Sequence, residues 1–221
     1  LLFDHFLKKS LHGSGKQAFF KKIKRTKNKI SWSGKSGKNH YNQAFRRAYP
    51  TLKHYTKGDF PEIVFLIPYI ESLWRSKGGK PSADYGYWQL VPEVVKEIQT
   101  LDYVPKALKA ANINTIRSNP KLSTQLALIH LRRYYFYFAK VAKFSETDAW
   151  LLTIQSYNWG AGNVKRLLAE MKKQKVKQDF ANFYYFLYQK QTKNPKDPSL
   201  KAAVNYLPSL YNIAVLIKKE N

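Results

Sequence analysis

Apolar residues recur every three or four positions along most of the chain, which is the period of a helix with one buried face. The clearest case is the segment TQLALIHLRRYYFYFAKVAKF, which follows the capping residue Ser123. Its apolar stripe consists of Ala127, Leu131, Tyr134, Phe138 and Val141. Alternating, strand-like patterns are scarce, so the sequence predicts a mainly α fold.

A helix start signal precedes the most apolar run of the chain. Asp59 and Glu62 have the spacing of a capping box, and Pro61 stands in the first turn. The sequence therefore predicts a helix through IVFLIPYIESLW, with a kink at Pro68 and with Glu71 near its C-terminal end.

Similar signals open three further helices. They are Pro92 with Glu93, Ser145 with Asp148, and Asp197 with Pro198. Gly160 and Gly162 are expected to end the second of these helices, and Pro208 is expected to interrupt the third.

The composition adds a strong basic charge to this picture. A chain of 221 residues with 44% hydrophobic content can bury a sizeable core, and its 39 Lys and Arg against 14 Asp and Glu give a net charge of +25. Asp4 is the only acidic residue among the first 57. We predict a basic N-terminal extension over residues 1–45, packed on or flanking a main domain of residues 46–221.

Several kinds of site and segment are not expected. The chain has no cysteine, and its five histidines lack metal-ligand spacing, so the sequence predicts no disulfide, no metal site and no cofactor. No uninterrupted apolar run approaches the roughly 20 residues of a membrane span, so no transmembrane segment is predicted. The sequence begins without Met, which is consistent with a removed targeting segment. We assume a monomer.

One glutamate stands inside the apolar run IPYIESLW. Burying an ionised carboxylate there would cost several kcal/mol unless Glu71 is paired or its pKa rises so that it holds a proton. Such a carboxyl can act as a general acid near neutral pH. The alternative is a buried glutamate satisfied by a neighbouring Tyr or backbone amide.

Two aromatic clusters follow. The glycine-containing loop GGKPSADYGYWQLVP delivers Tyr87, Trp88 and Gln89 just before a helix. The segment SYNWGAGNV places Tyr157, Asn158 and Trp159 at a helix end. Aromatic faces stack on sugar rings and amides hydrogen-bond to their substituents, so the three segments together favour a saccharide site over packing alone.

The series ESLW, GYWQLVP and SYNWGAGNV resembles the motifs of lytic transglycosylases of the soluble-lytic type, nearest the D-type membrane-bound branch. In that family the motifs usually read ES, then GLMQ or GLWQ followed by MP, then AYNAGxGNV. The resemblance extends over about residues 45–218. It implies a lysozyme-like helical catalytic domain that cleaves the β-1,4 bond between N-acetylmuramic acid and N-acetylglucosamine in peptidoglycan.

The resemblance also implies roles for single residues. Glu71 matches the single catalytic acid/base, Ser72 the serine beside it, Gln89 the substrate-contacting glutamine, and Tyr157 and Asn158 the YN pair, with Tyr157 holding the glutamate. The implied product ends in a 1,6-anhydromuramoyl ring. The implied location is the bacterial cell envelope, periplasmic or secreted. The implied partners are peptidoglycan glycan strands and, through the basic surface, anionic cell-wall polymers.

Two departures from the family pattern keep a hydrolase open. The family's small-residue run before the glutamine is replaced by PSADYGYWQ, so Asp84 is a possible second carboxylate that could position a water, although a turn-forming Asp is the commoner role. Trp159 stands where the family usually has Ala. A lysozyme-type muramidase acting on modified or deacetylated glycan is therefore an alternative.

A rival class is a basic binding protein. The net charge and the interleaved aromatics would suit nucleic acid, and the same fold without chemistry would suit a non-catalytic envelope-binding module. Charge explains neither the ES nor the YN segment, so the enzyme interpretation is favoured and no nucleic-acid partner is expected.

Overall fold

The computed structural model describes residues 3–30 and 37–218, and residues 1, 2, 31–36 and 219–221 lie outside this description. The described part of the chain is mainly helical, and isolated β-bridges join Gly79 to Tyr85 and Tyr85 to Leu90. Its α-helices are α1 (Asp4–Ser10), α2 (Gly13–Lys27), α3 (His40–Thr56), α4 (Ile67–Ser72), α5 (Pro92–Gln99), α6 (Lys106–Ala110), α7 (Ile113–Ser118), α8 (Pro120–Phe136), α9 (Glu146–Trp159), α10 (Ala161–Lys173), α11 (Phe180–Lys193) and α12 (Pro198–Lys218). The predicted mainly α class is confirmed.

The chain forms two compact units. One comprises Leu1–Ser31 with Arg133–Val215, and the other comprises Trp32–Arg132 with Leu216–Asn221. The predicted boundary between an extension of residues 1–45 and a domain of residues 46–221 stays a prediction.

The N-terminal helices are integral to the first unit. Helix α2 packs on α11 so closely that a side chain at Gly15 would overlap the backbone of Ala181. Next to this contact the rings of Phe19 and Tyr184 meet edge to face, with centroids 5.0 Å apart. Helix α1 packs on α9, where the buried hydroxyls of Ser10 and Thr147 are hydrogen-bonded at 2.7 Å.

The segment that leads to Glu71 differs from the predicted single helix. A 3₁₀-helix, Glu62–Leu66, comes first, and α4 starts at Ile67 with Pro68 in its first turn, where a proline costs no helix hydrogen bond. The predicted capping box is wrong, because no side chain caps the 3₁₀-helix and the Asp59 carboxylate lies 3.4 Å from Arg132 instead. The position of Glu71 near the helix end is confirmed.

Helix α8 begins earlier than Ser123. The side-chain oxygen of Asn119 accepts hydrogen bonds from the amides of Lys121 and Leu122, at 2.9 and 3.0 Å, so the helix starts at Pro120. Ser123 lies buried inside the first turns and donates back to the Asn119 carbonyl. The predicted apolar stripe ends in a π-helical turn, Tyr137–Val141, where Phe138 is buried but Val141 is 61% exposed.

The other predicted boundaries rest on local caps. Ser145 accepts from the Asp148 amide at the start of α9, and Pro92 occupies the first turn of α5. Gly160 separates α9 from α10 at φ 82°, whereas Gly162 lies inside α10 and ends nothing. These contacts confirm the starts of α5 and α9 and correct the role of Gly162.

Helix α12 continues through Pro208, which corrects the predicted interruption. A proline inside a helix leaves the carbonyl four residues earlier without its amide donor. Here that carbonyl belongs to Val204, and the buried hydroxyl of Tyr184 donates to it at 2.6 Å. Burial raises the pKa of Tyr184, which keeps this hydroxyl protonated as a donor. A side chain of α11 thus replaces the missing backbone bond.

Because it is unbroken, α12 is also the one helix in the described part of the chain that is long and apolar enough to cross a membrane. Over Pro198–Ile217 its mean hydropathy is 1.2, and 61% of this stretch is buried inside the protein. The core helix of a soluble protein passes the same test, so the observation is weak evidence for a span. The absence of a transmembrane segment stays a prediction.

We expect Tyr184→Phe to lower the free energy of unfolding by about 1–3 kcal/mol, because the buried Val204 carbonyl would lose its donor. Tyr185→Phe, on the same helix and only half-buried, is the matched control and should change stability by less than about 0.5 kcal/mol. Urea denaturation followed by circular dichroism measures both. Equal stabilities of the two variants would contradict this account of α12.

Candidate active site

Glu71 is held at the end of a buried segment. The residues from Ile63 to Tyr69 are all buried, and Glu71 is half-buried in the last turn of α4. Helix α3 covers this segment with aromatic rings: Phe45 lies 5.4 Å from the ring of Tyr69, and Tyr49 lies 5.9 Å from that of Phe65. The backbone that carries Glu71 is therefore fixed by packing on its N-terminal side.

The chain leaves α4 through a strained turn. Leu73 and Trp74, at φ 52° and 54°, are consecutive non-glycine residues in the left-handed region, where each costs about 1–2 kcal/mol. The amides of Leu73 and Trp74 donate to the carbonyls of Tyr69 and Pro68 at 3.2 Å and close the helix. Such strain persists where the surrounding structure enforces it, and here it directs the Trp74 indole toward Tyr87, with ring centroids 4.5 Å apart.

Ser72 connects the helix end to the following loop. Its buried hydroxyl donates to the carbonyl of Tyr87 at 2.7 Å and accepts from the amide of Arg75 at 3.2 Å. The serine beside the candidate acid therefore fixes the position of Tyr87 next to Glu71. Its role as a substrate contact stays a prediction, and its hydroxyl is committed to protein partners.

The loop over residues 78–90 is ordered by its own backbone. The amide of Gly86 donates to the Gly78 carbonyl, and the amide of Lys80 donates to the Asp84 carbonyl, both at 2.9 Å. Gly79 and Gly86 have φ of 83° and 81°, and a side chain at either would overlap a backbone carbonyl oxygen, that of Asp84 or of Arg117. Glycine is required at both positions for the loop to close.

Gln89 braces this loop from inside. Its amide nitrogen donates to the carbonyls of Gly78 and Gly86 at 2.8 and 2.7 Å, and its own backbone has a positive φ of 50°. The residue is half-buried. Both donor hydrogens of the amide are thus used within the loop, while the predicted contact of Gln89 with substrate stays a prediction.

Arg117, from α7, anchors the outer part of the loop and was not singled out in the sequence. It is fully buried, and its guanidinium donates to the carbonyls of Leu90 at 2.6 Å, Pro81 at 2.7 Å and Ala83. Burial lowers the pKa of Arg117, and the negative charges of Asp84 and Glu93 oppose this effect. A cation whose main acceptors are backbone carbonyls leaves no charge-pair signature in a sequence, which is why pattern analysis missed it.

Trp88 is a core residue, which corrects the prediction that it contacts substrate. It has no exposed surface, and its indole nitrogen donates to the hydroxyl of Thr124 at 3.1 Å. A ring with both faces packed cannot stack on a sugar. Tyr87 is half-buried, and it is Tyr87 with Trp74 that brings aromatic surface to the loop.

Asp84 lies on the exposed side of the loop. Its carbonyl closes the turn with Lys80, as expected of a turn-forming aspartate, and its side chain is solvent-exposed. Its role as a second carboxylate stays a prediction.

The third predicted cluster belongs to the other compact unit. Tyr157 is half-buried, Asn158 is exposed, and the indole nitrogen of Trp159 donates to the Ser199 hydroxyl at 3.1 Å. The Trp159 carbonyl accepts from the Asn163 side chain at 2.6 Å, which fixes the turn between α9 and α10. The expected action of Tyr157 on Glu71 stays a prediction.

An open cavity of about 660 Å³ adjoins the Glu71 end of α4. It is lined by Arg47, Trp74, Arg75, Ser76, Lys77, Gly78, Gly79 and Tyr87. Of these, only Tyr87 was predicted to contact substrate. The aromatic residue three positions after Glu71 was a usable signal for Trp74, whereas Arg47 comes from a distant helix. Within the described residues, no group of three or more His, Asp or Glu side chains could hold a metal ion.

We expect Arg117→Met to lower the free energy of unfolding by about 3 kcal/mol, because the buried Leu90 carbonyl and the part-buried Pro81 and Ala83 carbonyls would lose a charged donor. Trypsin should also cleave faster after Lys77 as the loop opens. Arg132→Met is the control, since the exposed Arg132 pairs with an exposed Asp59 and its loss should cost under about 1 kcal/mol. Equal stability and equal proteolysis of the two variants would refute the anchoring role.

Trp88→Phe should lower the free energy of unfolding by about 1–3 kcal/mol, through the lost Thr124 bond and the space left in the core. Its affinity for a chitooligosaccharide should match that of the unmodified protein, whereas Tyr87→Ala should bind it more weakly. Calorimetry measures both. Weaker binding by Trp88→Phe at unchanged stability would restore Trp88 as a substrate contact.

Comparison with known families places this geometry in context. Residues 49–180, more than half of the chain, match the transglycosylase SLT domain family, and the matched range includes Glu71, Gln89, Tyr157 and Asn158. No curated protein matches the chain. The chain therefore belongs to the transglycosylase SLT domain family, the lytic transglycosylases of lysozyme-like helical fold that cleave peptidoglycan in the cell envelope.

Proposed function

We propose that this lytic transglycosylase uses Glu71 as its single acid/base and releases 1,6-anhydromuramoyl products. The bond cleaved is the β-1,4 linkage between N-acetylmuramic acid and N-acetylglucosamine. We also propose that the chain is of the soluble-lytic type, nearest the D-type membrane-bound branch, and the spellings ESLW, GYWQLVP and SYNWGAGNV support this.

The placement of Glu71 is the observation that carries the proposal. Glu71 is half-buried on a helix end that is fixed by aromatic packing before it and by the Ser72 hydrogen bonds after it. A general acid has to be held in one geometry relative to the glycosidic oxygen. The strained turn at Leu73 and Trp74 places an aromatic surface directly after this acid, where a sugar ring can stack.

The proposed reaction needs one enzymatic carboxyl and no added water. Protonated Glu71 donates its proton to the glycosidic oxygen as the bond from that oxygen to C1 of the muramoyl sugar breaks. The resulting carboxylate accepts the proton of the C6 hydroxyl on the same sugar, and O6 bonds to C1. The proton returns to Glu71, and the glycan ends in an anhydro ring.

The alternative is hydrolysis by the same acid. In that case a water bonds to C1, and Asp84 is the carboxylate in this loop that could orient it. The two reactions differ in the chain end that they leave, which makes the products decisive.

The basic charge suits the proposed setting. Exposed Lys and Arg side chains on α1 and α2 would attract anionic polymers of the cell wall, in the periplasm or outside the cell. We propose that these charges assist binding to the wall, that no nucleic acid is bound, and that the protein acts as a monomer.

We expect Glu71→Gln to lower the rate of peptidoglycan cleavage by about 10²- to 10⁴-fold, because an amide cannot transfer the proton. The unmodified protein should release fragments lighter by one water than the products of hydrolysis. Mass spectrometry of digests of purified sacculi measures both the rate and the product.

Glu62→Gln is the matched control, since Glu62 is exposed on the 3₁₀-helix that leads to α4. It should digest sacculi like the unmodified protein. Full peptidoglycan-cleaving activity of Glu71→Gln would contradict the proposal that Glu71 is the acid/base. Reducing-end products would replace ring closure with hydrolysis and make Asp84→Asn the next variant.

A further inference from the structure

The cavity beside Glu71 has an unusual charge for a saccharide site. Arg47 enters from α3, and Arg75 and Lys77 follow the strained turn after α4, so three exposed cations line it. None of its described lining residues is acidic. A neutral sugar ring can only accept hydrogen bonds from these cations, whereas an anionic substituent would also pair with their charge.

The remaining lining is suited to the sugar that carries such a substituent. Trp74 and Tyr87 form a tilted aromatic pair whose rings are half-buried. Gly78 and Gly79 contribute backbone to the lining of the cavity. The aromatic pair can therefore stack on a sugar ring, and the cations can pair with a charged group carried by that sugar.

The cations are close in the chain to the proposed acid. The Nε atom of Arg75 donates to the Ser72 carbonyl at 2.8 Å, which holds the guanidinium beside the residue that follows Glu71. Burial raises the pKa of the Tyr69 phenol, and the positive charge of Arg47 opposes this rise. Arg47 therefore lies close to Tyr69. The cavity therefore adjoins the end of α4 that carries Glu71.

We propose that this cavity binds a carboxylate of the peptide stem carried by the glycan, with Arg47, Arg75 and Lys77 as its anion-binding residues. The inference rests on the proposed function, because the ligand is part of the same substrate. Stem carboxylates fit better than the phosphodiesters of wall polymers, since the stem is attached through the lactyl group of the muramoyl sugar itself. A guanidinium pairs in a bidentate manner with a carboxylate as with a phosphate, so the attachment of the stem to the cleaved sugar is what favours the carboxylate.

The test compares two ligands that differ only in charge. Soluble glycan fragments with intact stems are used with their carboxylates either free or converted to amides. Every protein carries Glu71→Gln so that the ligand is not cut during calorimetry. The free-carboxylate ligand should bind about three- to tenfold more tightly than the amidated one.

Matched variants locate the effect. Arg47→Gln with Lys77→Gln should bring the two affinities together, whereas Lys96→Gln with Lys109→Gln removes the same charge from exposed positions outside the cavity and should preserve the difference. Equal affinity for both ligands, or an equal loss in both double variants, would overturn the proposal. The proposal would also be overturned if Arg47→Gln with Lys77→Gln weakened binding to poly(glycerol phosphate) and left the affinities for both glycan ligands unchanged.

The outcomes separate this inference from the reaction on which it rests. Discrimination between the two ligands, combined with no cleavage of sacculi by the unmodified protein, would support the cavity and contradict the proposed chemistry. Cleavage to anhydro products without discrimination between the two ligands would support the proposed chemistry and contradict the proposed role of the cavity.

Discussion

The hydrogen bonds of the Arg117 guanidinium determine the path of the chain beside the candidate acid. A buried cation is tolerated only if its donors find acceptors, and here the acceptors are carbonyls at positions 81, 83 and 90. The loop must therefore bend around the end of α7, so closely that position 86 has no room for a side chain. Tyr87 reaches its place beside α4 as a consequence, and Ser72 fixes it there.

Several residues of the motif series hold together the loop beside Glu71. The Ser72 hydroxyl, the Gln89 amide nitrogen and the Trp88 indole nitrogen donate to protein atoms, and Trp88 is wholly enclosed. The surfaces open to a ligand are those of Trp74, Tyr87 and the surrounding cations. Residues that define a family can thus also build the frame around an active site.

The sequence predicted the features that depend on near neighbours. Ser145 caps α9 through an amide three residues away, and Glu71 lies in the last turn of α4. Both features could be inferred from local patterns. Features that depend on interactions between distant segments could not be predicted from local patterns. Asp59 pairs with Arg132 and so does not cap, and Pro208 stays inside α12 because Tyr184 supplies the missing donor. Trp88 was predicted to contact substrate because the sequence of a glycine-containing loop does not show whether an aromatic residue lies in the core or on the surface.

The nature of the acceptors around Arg117 has a further consequence. Ion pairs weaken when acid protonates the carboxylate, and exposed pairs weaken in salt. Peptide carbonyls do not titrate, and a buried contact is poorly screened. The loop beside Glu71 is therefore anchored by interactions that persist in acidic or saline surroundings, while salt screens the exposed cations that line the cavity.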